Sequence, residues 1–173
     1  MSQAIHEVDS RRSLRRTEAE ERIEGTGTFD EWRDPITGAD GHFGILLQAP
    51  LPARQMVQLH TIRGRPAVGE HAIPWRERRQ VPGYGFAASF SETVSDTARS
   101  ARGVNGYVTI TSSNERVVSG RFSFSIIVEF ESFRKPDGTA GGRWLDGDGR
   151  TRTITGEFRV PRWPDLPAIP GSR

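Results

Sequence analysis

The stretch Val117-Val-Ser-Gly-Arg-Phe-Ser-Phe-Ser-Ile-Ile-Val-Glu-Phe-Glu-Ser-Phe133 decides the fold class. Its even positions from 118 to 130 are Val, Gly, Phe, Phe, Ile, Val and Phe, and its odd positions are mostly Ser, Arg and Glu. A period of two sustained this long suits only a β-strand, whose successive side chains point to opposite faces. One face is apolar and the other wet, which is the pattern of an antiparallel sheet with one side on a core. A strand of this length must bend or serve two sheets.

Working outward, the same wording recurs. Val104-Asn-Gly106-Tyr-Val108-Thr-Ile110, Val118-Ser-Gly120-Arg-Phe122-Ser-Phe124 and Ile154-Thr-Gly156-Glu-Phe158-Arg-Val160 share the pattern apolar-x-Gly-x-apolar-x-apolar. In each copy the glycine falls on the inward face. There it marks a bulge, a sharp coil of the sheet, or the close approach of another strand. The first two copies are spaced as a hairpin, with Ser112-Ser-Asn-Glu115 as its turn. Further strands are expected at Phe43–Gln48, Met56–Ile62 and Gly83–Phe90, with a long basic connection from Pro66 to Pro82. The expected core includes Ile110, Phe122, Phe124, Ile126 and Phe158.

These three motifs resemble a family of small bacterial β-rich proteins of unknown function, many of them secreted lipoproteins. The resemblance covers residues 100–160 and rests on inward Gly and Phe, so it implies a fold and is nearly silent on chemistry. The chain departs from it in having no Cys to carry a lipid and no apolar leader in MSQAIHEVDSRRSLRR. The expected location is therefore cytoplasmic, or peripheral on the cytoplasmic face of the inner membrane.

The reading that follows is an all-β domain over residues 23–160, an antiparallel sandwich or partly closed barrel. An N-terminal arm covers residues 1–22, and a Pro-rich tail covers residues 161–173. Within Ser13–Gly25 a short helix is expected, with Glu18 and Arg22 as i,i+4 partners and Gly25 as its stop. The tail carries prolines at 164, 167 and 170 and reads as extended. With 173 residues, one domain is the expectation.

Chemistry is sparse. The absence of Cys removes disulfides, thiolate zinc sites and thiol catalysis. His6, His42, His60 and His71 show no zinc spacing. Asp146-Gly-Asp148-Gly-Arg150 begins like a calcium loop, but Arg150 stands where a ligand belongs and Thr151 replaces the turn glycine. Glu129 and Glu131 share the wet face of one strand and read as solvated charges rather than an acid/base pair. No nucleophile elbow or phosphate loop is present. Pro82-Gly-Tyr-Gly-Phe-Ala-Ala-Ser89 is a near miss to an RNA-recognition octapeptide, in which Tyr84 and Phe86 would stack on bases. It lacks the leading base and the last aromatic. No enzyme activity, metal or cofactor is expected, and a nucleic-acid partner is disfavoured.

Charge and aromatics point elsewhere. Of 24 basic residues only Lys135 is lysine, and Arg is the better residue for planar and stacked contacts. All four Trp adjoin an Arg: Trp32-Arg33, Trp75-Arg76, Arg143-Trp144 and Arg162-Trp163. Trp and Arg are enriched among interface hot spots. With Arg78 and Arg79 in the basic connection, these residues form the expected partner surface. The expected role is a non-enzymatic accessory subunit that clamps protein subunits of a larger assembly, with an anionic membrane surface as a further contact. A membrane-extrinsic subunit of a bacterial membrane complex, such as a photosynthetic reaction centre with its antenna, would suit that surface. The alternative is a β-module that binds a small ligand or RNA at the barrel mouth or through Tyr84 and Phe86.

Overall fold

The computed structural model describes residues 20–33, 40–50, 54–77, 83–145 and 151–163. Ten strands run through them: β1 Glu20–Ile23, β2 Thr26–Arg33, β3 Asp40–Gln48, β4 Gln55–Thr61, β5 Gly69–Ile73, β6 Ala87–Val94, β7 Thr97–Ser113, β8 Val117–Arg134, β9 Ala140–Trp144 and β10 Arg152–Pro161. They form one sheet in the order β1-β10-β8-β7-β6-β4-β3-β2, with β5 also on β7 and β9 also on β8. The fold is all-β, and the sheet folds over one core as in a sandwich.

The two longest strands make this possible. β7 pairs with β6 over Thr97–Arg102 and with β5 over Gly106–Ile110. β8 pairs with β10 over Val117–Ile126 and with β9 over Phe130–Arg134. Each therefore serves two partners, as its length requires. Bulges fall near both changes of partner. Asn105, at φ 50°, sits in one on β7, and Glu129 is the extra residue of one on β8. Bulges of this kind bend a strand and increase its twist.

The hairpin between β7 and β8 turns at Asn114, whose side-chain oxygen accepts from the amides of Arg116 and Val117 at 2.9 Å each. Asn and Asp favour such turns because the side chain copies a backbone carbonyl. The three repeated motifs lie on the neighbouring strands β10, β8 and β7, and Ile110, Phe122, Phe124, Ile126 and Phe158 are all buried. The same core cluster takes in Phe29, Phe43, Val57, Leu59 and Phe90 from the other half of the sheet.

The sheet is mixed rather than purely antiparallel, because β1 runs parallel to β10. It is not closed into a barrel. Between β10 and β2 the seam is spanned, among the described residues, by one parallel bridge, Phe29 with Arg162, in the same register offset as Ile23 with Gly156. The amide of Trp163 donates to the Phe29 carbonyl across that seam at 2.6 Å. Glu20–Ile23 are strand, not the end of a helix, because pairing with β10 satisfies their backbone and puts Ile23 in the core. Leu14 and Ala19, the other apolar positions of the expected helix, lie outside the described residues. So do Asp146–Arg150 and most of the two tails. The basic connection contains β5, which Glu70 and His71 disguise in the sequence. Gly83–Gly85 is a bend leading into β6. No helix among the described residues is long and apolar enough to cross a membrane.

At one end the inward face changes character. Past the Glu129 bulge, the inward side chain of β8 is Glu131. It accepts from Arg99 at 2.8 Å and from Arg143 at 2.7 Å. Glu92, also buried, lies 3.0 Å from Arg152, and Arg152 reaches Glu21 at 3.1 Å. The Arg152 guanidinium also covers the Phe90 ring at 5.2 Å. Three Arg and three Glu thus cap this end of the core without net charge.

Candidate binding face

The outer face of the sheet carries the exposed aromatics. Trp75 follows β5 and is 58% exposed, yet its ring is covered on one side by the Arg102 guanidinium at 5.0 Å. A cation over an indole face is attracted by the ring quadrupole. Arg102 is fixed in turn by Glu129 at 2.7 Å and donates to the Arg76 carbonyl. Glu129 is placed by the β8 bulge, and its carbonyl accepts from the Leu145 amide at 2.8 Å. Trp144 sits beside it, 53% exposed, with its ring centroid 5.0 Å from Phe130. Two of the expected tryptophans therefore lie on the outer face on either strand side of Glu129, and the arginine that covers the first is Arg102, not its sequence neighbour Arg76.

The paired arginines do other work. Arg143 points to the inward side and binds Glu131 through Nε at 3.1 Å and Nη2 at 2.7 Å. Arg76 is half-buried and donates to the Ala88 carbonyl at 3.3 Å. Burial and the neighbouring Arg102 push its pKa down, against the opposing pull of Glu129.

The third pair leads to a different feature. Arg162 and Trp163 cross the seam beside β2, and Trp163 walls a groove on the outer face of β2, β3 and β4. Cross-strand register sets its floor. Asp30 pairs with Gly44 and Gly44 with His60, so a glycine lies between a carboxylate and an imidazole. In the next row Thr28 pairs with Leu46 and Leu46 with Gln58. His42 completes the lining of a space of about 390 Å³. The pKa of His60 is lowered, first by burial and then by the positive charges of Arg76 and His42. That shift favours the neutral imidazole.

Trp32 and Arg33 belong to β2, with their side chains outside the described set, and Arg78 and Arg79 lie outside the described residues. Phe86 is buried in the core against His71, which removes one of the two aromatics that base stacking would use, while Tyr84 is exposed. No group of three or more His, Asp or Glu stands together to hold a metal among the described residues. Sequence reasoning missed Asp30, His42, Gly44 and His60 as neighbours. Each sits at an outward position of its own strand, and only the register across three strands unites them.

No protein family, curated protein or solved structure matches this chain.

Proposed function

We propose that the protein is a non-enzymatic binding subunit whose outer sheet face docks onto a protein partner through Trp75 and Trp144. One observation carries this reading. Both rings are more than half exposed, and each is already ordered by a neighbour, Trp75 by Arg102 and Trp144 by Phe130. A preordered aromatic loses little further freedom on binding, which is where much of the cost of association lies. Trp and Arg anchors of this kind dominate measured interface energies. The Arg102–Glu129 pair lies beneath the Trp75 ring and holds the cation that orders it. The specific form of the proposal is a membrane-extrinsic place on a bacterial membrane complex, such as a photosynthetic reaction centre with its antenna. That form draws on the Arg-for-Lys and Trp composition alone.

The test is native mass spectrometry of the tagged protein purified from its own cells. Wild type should carry a defined partner. Trp75→Ala and Trp144→Ala should lose it at least tenfold while melting as wild type does. A wild-type protein that emerges as a bare monomer, or a double variant that keeps its partner in full, defeats the reading.

A further inference from the structure

We propose that the groove over Gly44 binds a neutral sugar ring, with Trp163 as its stacking wall and Asp30, Gln58 and His60 as its hydrogen-bonding groups. The site lies beyond the docking patch and does not depend on it.

The argument begins with spacing. Asp30, Gly44 and His60 lie in one row across three adjacent strands on the same face. Their backbones span two strand spacings, about 9.6 Å. Any side chain at position 44 would fill the middle of that row, and glycine leaves a slot there. A Cβ built on Gly44 would meet only the end of the Asp30 carboxylate, at 2.6 Å, so that carboxylate already leans over the slot. Trp163 is half exposed, its backbone is tied by its amide to the Phe29 carbonyl, and its side chain lines the groove. The volume of about 390 Å³ falls in the roughly 300–1,000 Å³ span of small-molecule sites.

The lining then selects the ligand. Asp30 offers acceptors only, Gln58 offers both donors and an acceptor, and a neutral imidazole offers one of each. Such a mixture matches hydroxyl groups, which donate and accept together. Leu46 and the Trp163 ring supply apolar surface for the C–H face of a sugar. Charge argues against other small ligands. An anion would meet the Asp30 carboxylate, and a cation would enter the field of Arg76, which already disfavours a proton on His60. A neutral polyhydroxyl ring avoids both conflicts.

Saturation-transfer NMR on the full chain tests this directly. The probes are glucose, galactose, N-acetylglucosamine and maltose, with choline and inorganic phosphate as charged comparisons, each at 10 mM on the order of the weakest affinities worth scoring. At least one neutral sugar should receive saturation from wild type. Gly44→Val should weaken the signal at least tenfold. Valine suits a strand, and its Cβ would meet only a carboxylate that can swing away. Trp163→Ala should weaken it likewise, and Trp75→Ala with Trp144→Ala should leave it intact. No transfer to any of the four sugars overturns the proposal, as does transfer that Gly44→Val leaves unchanged. Binding of choline or phosphate with no sugar response also overturns it and marks the groove as a charge site.

Discussion

Phe122 lies directly across the β8–β10 ladder from Gly156, and its ring covers the bare backbone there: a Cβ on Gly156 would sit 2.6 Å from the Phe122 Cζ. Two residues along, the relation is reversed. Phe158 faces Gly120, and a Cβ on Gly120 would sit 2.7 Å from the Phe158 Cζ. The two rings then stack, with centroids 6.5 Å apart. The repeated Gly-x-Phe is thus one reciprocal device. Each strand lends a ring to the other's glycine, which covers the exposed backbone and pins the register.

The first prediction follows from that device. Phe122→Ala should cost about 3–5 kcal/mol, because it opens a cavity in a close-packed core and uncovers Gly156. Gly156→Val should cost about 1–3 kcal/mol by overpacking, since the new carbon meets Phe122 and, at 3.0 Å, the Ile23 carbonyl. Urea midpoints of the two variants check this. A Gly156→Val variant as stable as wild type would show that the ring does not occupy this space.

The repeat shows how far sequence reasoning reaches here. Alternation named the buried residues of β8 up to Ile126; the inward glycines left a bulge, a sharp coil or a close approach open, and 120 and 156 prove to be close approaches. Alternation could not foresee that Glu129 is a bulge. After it the inward position passes to an odd residue, and Glu131 becomes a buried charge rather than a wet one. A bulge depends on the partner strand, which a single stretch of sequence does not contain. The candidate sites have the same origin. Trp75 and Trp144 were visible as exposed-type residues, but Arg102 as the cover of Trp75 needed the β7–β8 register. The row Asp30-Gly44-His60 needed three strands to be in place.

The second prediction concerns Glu131. Hydrogen bonds from Arg143 and Arg99 hold its carboxyl below the ordinary value of 4.5. A depressed folded-state pKa gives stability that is complete above the unfolded value and is lost as pH falls through the folded one. Glu131→Gln should therefore cost about 1.5–3 kcal/mol at pH 7, the scale of hydrogen bonds to a charged group. The difference from wild type should shrink steadily below pH 4.5. Denaturation midpoints at pH 7, 4.5 and 3 measure it, and a gap that stays constant to pH 3 would remove Glu131 from the acid response.

The third prediction concerns His60 and has a different window. Burial, with Arg76 and His42 behind it, lowers the imidazole pKa from 6.5. The folded state therefore binds fewer protons than the unfolded state just below that value. Stability from this residue is complete above pH 6.5 and falls as pH drops toward the lowered folded pKa. NMR titration of the His60 ring should give a midpoint below 6.5. His60→Gln should flatten the loss of stability between pH 7.5 and 5.5, and a midpoint at or above 6.5 would reverse the sign.

The last prediction separates the two roles of Trp163. Its amide spans the open seam to the Phe29 carbonyl, and its indole walls the groove. Trp163→Ala keeps the amide and removes the ring. Trp163→Pro removes both, because proline has no N–H to donate. If the amide helps hold the seam, Trp163→Pro should be less stable than Trp163→Ala by about 0.5–1.5 kcal/mol, the net worth of one hydrogen bond. The loss should appear first in β2. With its outer edge tied to β10, among the described residues, at Phe29, that strand would exchange its amides faster with solvent when the tie is cut. Hydrogen exchange on the two variants reads this strand by strand. Equal stability and equal exchange in β2 would mean that β3 alone holds the edge and that the residue serves only the groove.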